Sequence, residues 1–408
     1  MTERWQKSAW IALACAAVVL AASTVCLYRQ SRGASTLLGG SPPYRIVYCS
    51  MQDEDSSTLV DCNMLGRDVQ HLTDGNTLDI YPIAAPLLSG ADKQMRIAFV
   101  RLDFRQSSPR DEVSPGGVFV VNAAGGEAQQ VGAMARYVLP VPPAWSPNGA
   151  QLAFGGAEDL NADGASALDE TGLYVCDLSG GQTQRAADAL VEGERLLWSP
   201  AGAQGLVPTR SSNLPSVCLF DGESGKLEPI LNGSASAACW SPDGQQVAAY
   251  STEDHRIHIF ASRRSSPEAL LDSPPGTVTD IVWAPDAGGA GQGRLLVVSA
   301  AQSGQSAGSL YSRSASPNAR ESWQLLADAQ ALIYYPSVSP DGRYVAFTLL
   351  AGGAAVGQSG VPAGDLYLLQ LGKAEPLRLT SEPGFEGLAT WVPIQANRNE
   401  ASETRARD

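Results

Sequence analysis

Charge and histidine are both scarce in this chain. Charged residues make up only 17% of its 408 residues, too few for a disordered or coiled-coil protein. The formal net charge is -14, and no Lys/Arg-rich stripe with interleaved aromatics is present to follow a phosphate backbone, so nucleic acid is not an expected partner. The three histidines are His71, His255 and His258. In "HRIHIF" a spacing of three along a strand sets His255 and His258 on opposite faces, so a zinc site from this pair is not expected and exposed strand histidines are the plainer reading. The one G-x-S-x-G pattern, Gly304 to Gly308, lies in a Ser/Gly-rich hairpin and lacks the strand-turn-helix context that a nucleophile elbow needs.

Cysteine is limited to seven, two of them inside an apolar run. The other five are Cys49, Cys62, Cys176, Cys218 and Cys239, an odd number that leaves at least one thiol free. Cys49 and Cys62 flank the turn-like "MQDEDSS". A symmetric hairpin would set them opposite each other, where an oxidising location would permit a disulfide; buried free thiols are the favoured alternative.

What is abundant is apolar surface and turn-formers. Hydrophobic residues are 44%, with 41 glycines and 26 prolines, the composition of a folded protein with a large core and many turns. The longest apolar stretch, Ser8 to Tyr28, carries no charge and has about the 20 residues that cross a bilayer. It is expected to be a signal-anchor over 9–28 behind a cytoplasmic stub at 1–8, with the rest of the chain outside the cytoplasm. A cleaved signal peptide ending near Ala21-Ala22-Ser23 is the alternative. Residues 29–43, "RQSRGASTLLGGSPP", form a linker, and 395–408 a disordered polar tail.

An internal repeat fills the remainder, 44–394. "AWSPNGAQLAF", "LWSPAGAQGLV", "CWSPDGQQVAAY", "VWAPDAGG" and "SVSPDGRYVAF" each read as a strand ending in Trp or Val, a turn and a second strand. Ser-Pro-Asp-Gly suits a type I turn, with proline at the position whose φ it fixes. The turn prolines, Pro147, Pro200, Pro242, Pro285 and Pro340, are 53, 42, 43 and 55 residues apart. A third strand such as "GLYVCDL" and a short fourth such as "PLRLT" follow, and four strands per unit make a propeller blade. Weaker copies surround Pro86 and Pro393. The second copy stops after "TWVPI", and "YRIVYCS" at Tyr44 lacks a first strand. The C-terminal strand, about Gly387 to Ile394, is therefore expected to pair with the strand starting near Arg45 and close the ring, which removes exposed sheet edges. The count is seven blades, with six or eight also compatible.

The W-S-P-D-G turn followed by an I-A-F-like strand, best at Trp240 to Gly244 and Ser339 to Phe347, resembles the TolB-like, WD40-like propeller repeats known as PD40 repeats. The resemblance implies an all-β propeller; the repeat count makes it seven-bladed, and the apolar run sets one transmembrane helix before it. Such repeats specify a fold and not a function. The chain has an apolar segment where TolB has an N-terminal α/β domain, so a role in the Tol system is not carried over.

"DLNADGASALDE", Asp159 to Glu170, has the oxygen-ligand spacing and the turn glycine of a calcium loop. Asp159, Asn161 and Asp163 are the side-chain ligands, Ala165 contributes its carbonyl, Glu170 is bidentate, and water fills the vertex at Ala167. Strands, not helices, are expected on both sides. Strand-flanked loops of this kind are familiar in propeller repeats, and the resemblance implies the same here. A solvated acidic hairpin is the alternative; the ion's role would be structural, because three carboxylates repel one another without it.

Further insertions, "RLDFRQSSPRDEVSPGG", "AAQSGQSAGS" and "LLAGGAAVGQSGVPAG", occupy the same place between second and third strands, so all should emerge on one face, often the binding face. The sequence thus predicts a monomeric, membrane-anchored extracytoplasmic propeller, not an enzyme, that binds a protein, peptide or glycan there. Only a short tail follows Ile394, so no hydrolase domain is expected. The alternative is an enzyme acting on a glycan at the central channel, where carboxylates from distant blades could meet.

Overall fold

The computed structural model describes residues 44–86, 95–103, 116–132, 137–139, 141–157, 171–188, 191, 195–202, 204–211, 214–222, 224–231, 234–262, 266–287, 292–301, 307–316, 319, 321–351, 361–373 and 375–394. Among them there is no helix long and apolar enough to cross a membrane. The expected anchor over 9–28, the linker and the tail lie outside the described residues.

The described chain is all β. It begins with β1 (Tyr44–Met51), β2 (Ser57–Asn63) and β3 (Gln70–His71), followed by β4 (Leu78–Ala84), β5 (Arg96–Leu102), β6 (Gly116–Asn122) and β7 (Gln129–Val131). A third group is β8 (Tyr137–Val138), β9 (Ala144–Trp145), β10 (Gln151–Ala157), β11 (Thr171–Asp177) and β12 (Thr183–Asp188). The fourth is β13 (Leu197–Trp198), β14 (Gln204–Ser211), β15 (Leu214–Asp221) and β16 (Lys226–Pro229), and the fifth β17 (Ala235–Trp240), β18 (Gln246–Ser251), β19 (Arg256–Ala261) and β20 (Ala269–Asp272). Then come β21 (Thr277–Ala284), β22 (Arg294–Ala300), β23 (Gly308–Ser314) and β24 (Gln324–Ala329), β25 (Ala331–Val338), β26 (Tyr344–Ala351), β27 (Gly364–Gln370) and β28 (Leu377–Arg378), and last β29 (Phe385–Pro393).

Groups β4–β7, β8–β12, β13–β16, β17–β20 and β21–β24 are separate antiparallel sheets. The sixth sheet has eight strands, because one parallel bridge between Gly364 and Phe385 joins β25–β28 to β29-β1-β2-β3. The described sheets therefore number six where seven were expected. Each group packs against the next in chain order, and β29 and β1 both pack on β4, so the arrangement is a ring of sheets, a β-propeller. The expected closing pair is present: β29 runs antiparallel to β1 from Tyr44↔Pro393 to Met51↔Phe385.

The repeat's turn chemistry is visible atom by atom. In Ser146–Gly149, Ser241–Gly244 and Ser339–Gly342 the glycine N–H donates to the serine carbonyl at 2.8, 2.8 and 2.9 Å. The serine hydroxyl donates to the Asn or Asp at the third position, Asn148 at 2.7 Å, Asp243 at 2.6 Å and Asp341 at 2.6 Å. It also accepts from the N–H five residues on, at Gln151, Gln246 and Tyr344. Gly342 needs its φ of 68°, and a Cβ there would collide with the carbonyl oxygen of Pro285 in the preceding repeat's turn. Turn glycine and ring packing are thus one requirement.

The core lies between sheets. Phe99↔Phe119, Phe154↔Tyr174 and Phe347↔Tyr367 are directly opposed on second and third strands, with ring centroids 5.9, 5.7 and 6.1 Å apart. Phe99, Phe154, Tyr174 and Phe347 are almost wholly buried, each stabilising the fold by about 1.5–3 kcal/mol through burial. The five described cysteines are free. Cys49 lies opposite Leu59, and Cys62 opposite Ile46, so the two side chains leave β1-β2 on opposite faces and the symmetric-hairpin geometry does not hold. Burial pushes both thiols up to about 12.

Candidate functional site

Three neighbouring first strands at the ring closure, β25, β29 and β4, pack on one another in turn and depart from regular pleating. Tyr81, Tyr335 and Leu388 have φ of 56°, 51° and 57°. Each sits in a bulge of its strand, opposite Phe99, Phe347 and Tyr48 respectively. Left-handed backbone in a bulky residue costs about 1 kcal/mol and persists only where the surroundings enforce it. Here tyrosines are enforced into one place: Tyr81 and Tyr335, from sheets separated by β29, have ring centroids 6.0 Å apart, and Tyr334 lies 6.1 Å from Tyr335.

Arg195 completes this cluster from the segment entering β13. Its Nε donates to Asp280 Oδ1 at 2.9 Å and its Nη2 to Asp280 Oδ2 at 2.7 Å, a bidentate pair. Nη2 also donates to the Pro336 carbonyl at 2.6 Å, and Cζ stands 4.4 Å above the Tyr335 ring. One guanidinium therefore ties the approach to β13 to β21 and β25, which requires all three to face a shared axis. Asp280 is buried, and after burial itself its negative charge is the next largest influence raising the neighbouring Cys239 thiol. Chemically this is a satisfied, low-dielectric clamp. Asp280 is thus engaged by an arginine, an arrangement suited to holding strands and presenting aromatic rings.

A second ion pair fixes the seam beside the closing sheet. Arg101 Nε and Nη2 donate to the two oxygens of Asp79, both at 2.7 Å, with Asp79 fully buried. The Arg101 guanidinium lies 4.6 Å over Phe119 and 5.4 Å over Phe99, while the Ser57 hydroxyl accepts the Asp79 N–H at 2.8 Å. In the adjoining closing sheet, Glu386 on β29 is buried, its Oε2 has no hydrogen-bond partner, and its carboxyl is pushed up, first by burial and then by Asp365 and Glu382 against the Thr380 hydroxyl.

The five expected calcium ligands, Asp159, Asn161, Asp163, Ala165 and Glu170, lie outside the described residues. Their flanks are described: β10 and β11 are strands, and Ala157↔Thr171 is the last pair before the loop. Among the described residues no group of three or more His, Cys, Asp or Glu is placed to hold a metal. The G-x-S-x-G pattern connects β22 to β23, strand to strand, so no elbow helix follows it. His255 precedes β19 with φ of 57° and lies 3.1 Å from the Tyr250 hydroxyl, whereas His258 Nε2 donates to Asp254 at 2.9 Å. The two histidines go to different partners. Arg195, Tyr81 and Tyr335 were not foreseen, although the repeated Tyr-Pro at Tyr81-Pro82 and Tyr335-Pro336, both on first strands, carries the signal.

No family model matches the sequence. No curated protein matches it either. Solved structures do match in fold. Oligogalacturonate lyase from Vibrio parahaemolyticus is 12% identical, with 80% of this chain and 92% of that one covered and a TM-score of 0.50. A 6-phosphogluconolactonase candidate from Bacteroides uniformis is 11% identical, with coverage of 86% and 100% and a TM-score of 0.51. TolB from Acinetobacter baumannii is 15% identical over 88% of this chain and 70% of that one, with a TM-score of 0.48. These are likenesses of fold.

Proposed function

We propose that this chain is a membrane-anchored, extracytoplasmic binding and scaffold module: a seven-bladed propeller stiffened by a structural Ca²⁺ in the 159–170 loop. The blade count follows from reading β25–β28 and β29-β1-β2-β3 as two blades joined by a single bridge. The observation that carries the function is topological. The long connections 103–115, 158–170, 301–307 and 352–363 all join a second strand to a third, whereas 212–213 and 252–255 are short. Antiparallel strands start and end every such connection on the same rim, opposite the Ser-Pro-Asp-Gly turns, and extra loop length gathered on one rim is the usual mark of a binding face for a protein, peptide or glycan. The apolar run Ser8 to Tyr28 supports the anchor.

Fold likeness to a lyase and a lactonase carries no chemistry by itself, and Asp280 at the axis is held by Arg195. Binding is the reading retained. The test is purification of the full chain from its native membranes after cross-linking, with 104–114 or 353–360 replaced by Gly-Ser segments. A partner that co-purifies with the parent and is lost from the replacements, at unchanged melting temperature, is the expected result. A partner retained by every replacement would move the binding face elsewhere.

A further inference from the structure

The five tryptophans that end first strands use their indole N–H in two ways. Trp145, Trp240 and Trp391 donate to a carbonyl of the preceding blade, Ile83 at 2.9 Å, Leu197 at 3.3 Å and Ser337 at 3.1 Å. Trp198 and Trp283 donate instead into their own turns, to Gly202 at 2.5 Å and Gln292 at 2.7 Å. An indole bonded across the boundary ties neighbouring blades at that point, and one turned home withdraws that tie, although at the second such boundary Trp323, just before β24, still donates to the Asp272 carbonyl of the preceding blade at 2.7 Å. Clefts follow the second pattern: about 550 Å³ beside Trp198, between β8–β12 and β13–β16, and about 720 Å³ beside Trp283, between β17–β20 and β21–β24. Both open on the turn-bearing rim, away from the insertions.

The chemistry of the Trp198 cleft is specific. Trp198 is half-buried and shares the lining with Gln151, Gln184, Asn148 and Ser224. The Gln151 and Gln184 side-chain amides take no hydrogen bond among the described residues. No carboxylate is among the described lining residues, and the cationic one, Arg185, already donates to Asp188 at 2.7 Å, the Tyr174 hydroxyl at 3.0 Å and the Thr171 carbonyl at 2.7 Å. An anion would have to displace those bonds.

We propose that this cleft is a binding site for a neutral saccharide, separate from the partner face. A primary amide offers donor and acceptor side by side, matching a pair of vicinal hydroxyls. The electron-rich indole face suits the weakly positive C–H face of a pyranose ring. The volume falls in the range of about 300–1,000 Å³ typical of small-molecule sites. The Trp283 cleft, lined by Asp243, Glu268 and Asp286, lacks this neutral chemistry.

The test is titration of the full-length chain, free of sugar-based detergent, with cellotriose, chitotriose, maltotriose and the anionic trigalacturonate, read by calorimetry and tryptophan fluorescence. One neutral trisaccharide should saturate below about 10 mM, and Gln151→Ala with Gln184→Ala should weaken it at least tenfold, or about 1.4 kcal/mol. Those amides are half-buried and exposed, so the variant tests recognition without threatening the fold; Trp198→Phe provides a second check through loss of the fluorescence change. The proposal is overturned if no neutral probe saturates, if the amide variant binds like the parent, or if only trigalacturonate binds.

Discussion

Arg195 holds Asp280, 85 positions later in the chain, through both carboxylate oxygens, with the whole β17–β20 sheet between them in sequence. The pair is largely buried, with side-chain exposures of 15% and 9%. Removing either partner alone should therefore cost about 3 kcal/mol, because it strands the other charge, whereas Arg195→Met with Asp280→Leu should be close to neutral. Urea denaturation of the two single variants and the double variant measures this. Equal losses in all three would show that the clamp's worth lies in packing on Tyr335.

Stability should also depend on pH through Glu386. Its carboxyl is raised by burial, so the folded state holds the proton longer than the unfolded one. The associated stability is fully present below the unfolded value and is lost as pH rises through the folded one. Glu386→Gln should melt above the parent at neutral pH, and the gap should close on acidification to about pH 4. A gap independent of pH would assign the effect to something other than ionisation.

Calcium should raise the melting temperature. The proposed loop connects β10 to β11 beyond their last described pair, Ala157↔Thr171, and the sequence places three carboxylates in it, Asp159, Asp163 and Glu170, whose like charges a bound cation would offset. At a calcium concentration 100 times the Kd the gain is about 2.7 kcal/mol, and Asp163→Ala should abolish it. Differential scanning calorimetry with calcium and with chelator decides between the metal loop and an acidic hairpin.

Ring closure rests on β29. Trp391 is buried, donates to the Ser337 carbonyl at 3.1 Å and meets Tyr44 edge-on at 5.7 Å. Trp391→Ala should cost about 3–5 kcal/mol and, by loosening β29 from β1, expose a strand edge that promotes association. Light scattering at increasing concentration would register that association; a destabilised variant that stays monomeric would show the edge to be protected by other means.

The thiols give a simpler readout. Cys49, Cys62, Cys176 and Cys239 are buried and none of the five described cysteines is bonded to another. A thiol reagent at pH 8 should find these four almost inert in the native protein, since burial raises Cys49 and Cys62 to about 12 and reaction needs the thiolate. In denaturant without reductant all five described cysteines should react, together with Cys15 and Cys26 where the apolar run is retained. Fewer would mean a disulfide that β1-β2 register argues against.

Sequence by itself determined the local features of this protein. Ser-Pro-Asp-Gly writes its own turn, because a proline-fixed φ, a serine hydroxyl and a glycine act within a few residues of one another. The period of those turns gave the propeller, and a first strand missing at Tyr44 with a strand to spare at Trp391 gave its closure. The tertiary structure decided everything that depends on which distant residues meet. Arg195 looks like any other arginine until the ring sets β21 and β25 around it, and Tyr81 faces Tyr335 only because bulges turn both strands into left-handed backbone. The spacing of Cys49 and Cys62 left a pair open beside the favoured free thiols, and register put them on opposite faces. Whether a tryptophan bonds the preceding blade, as Trp145 does at Ile83, or its own turn, as Trp198 does at Gly202, is likewise decided only by packing.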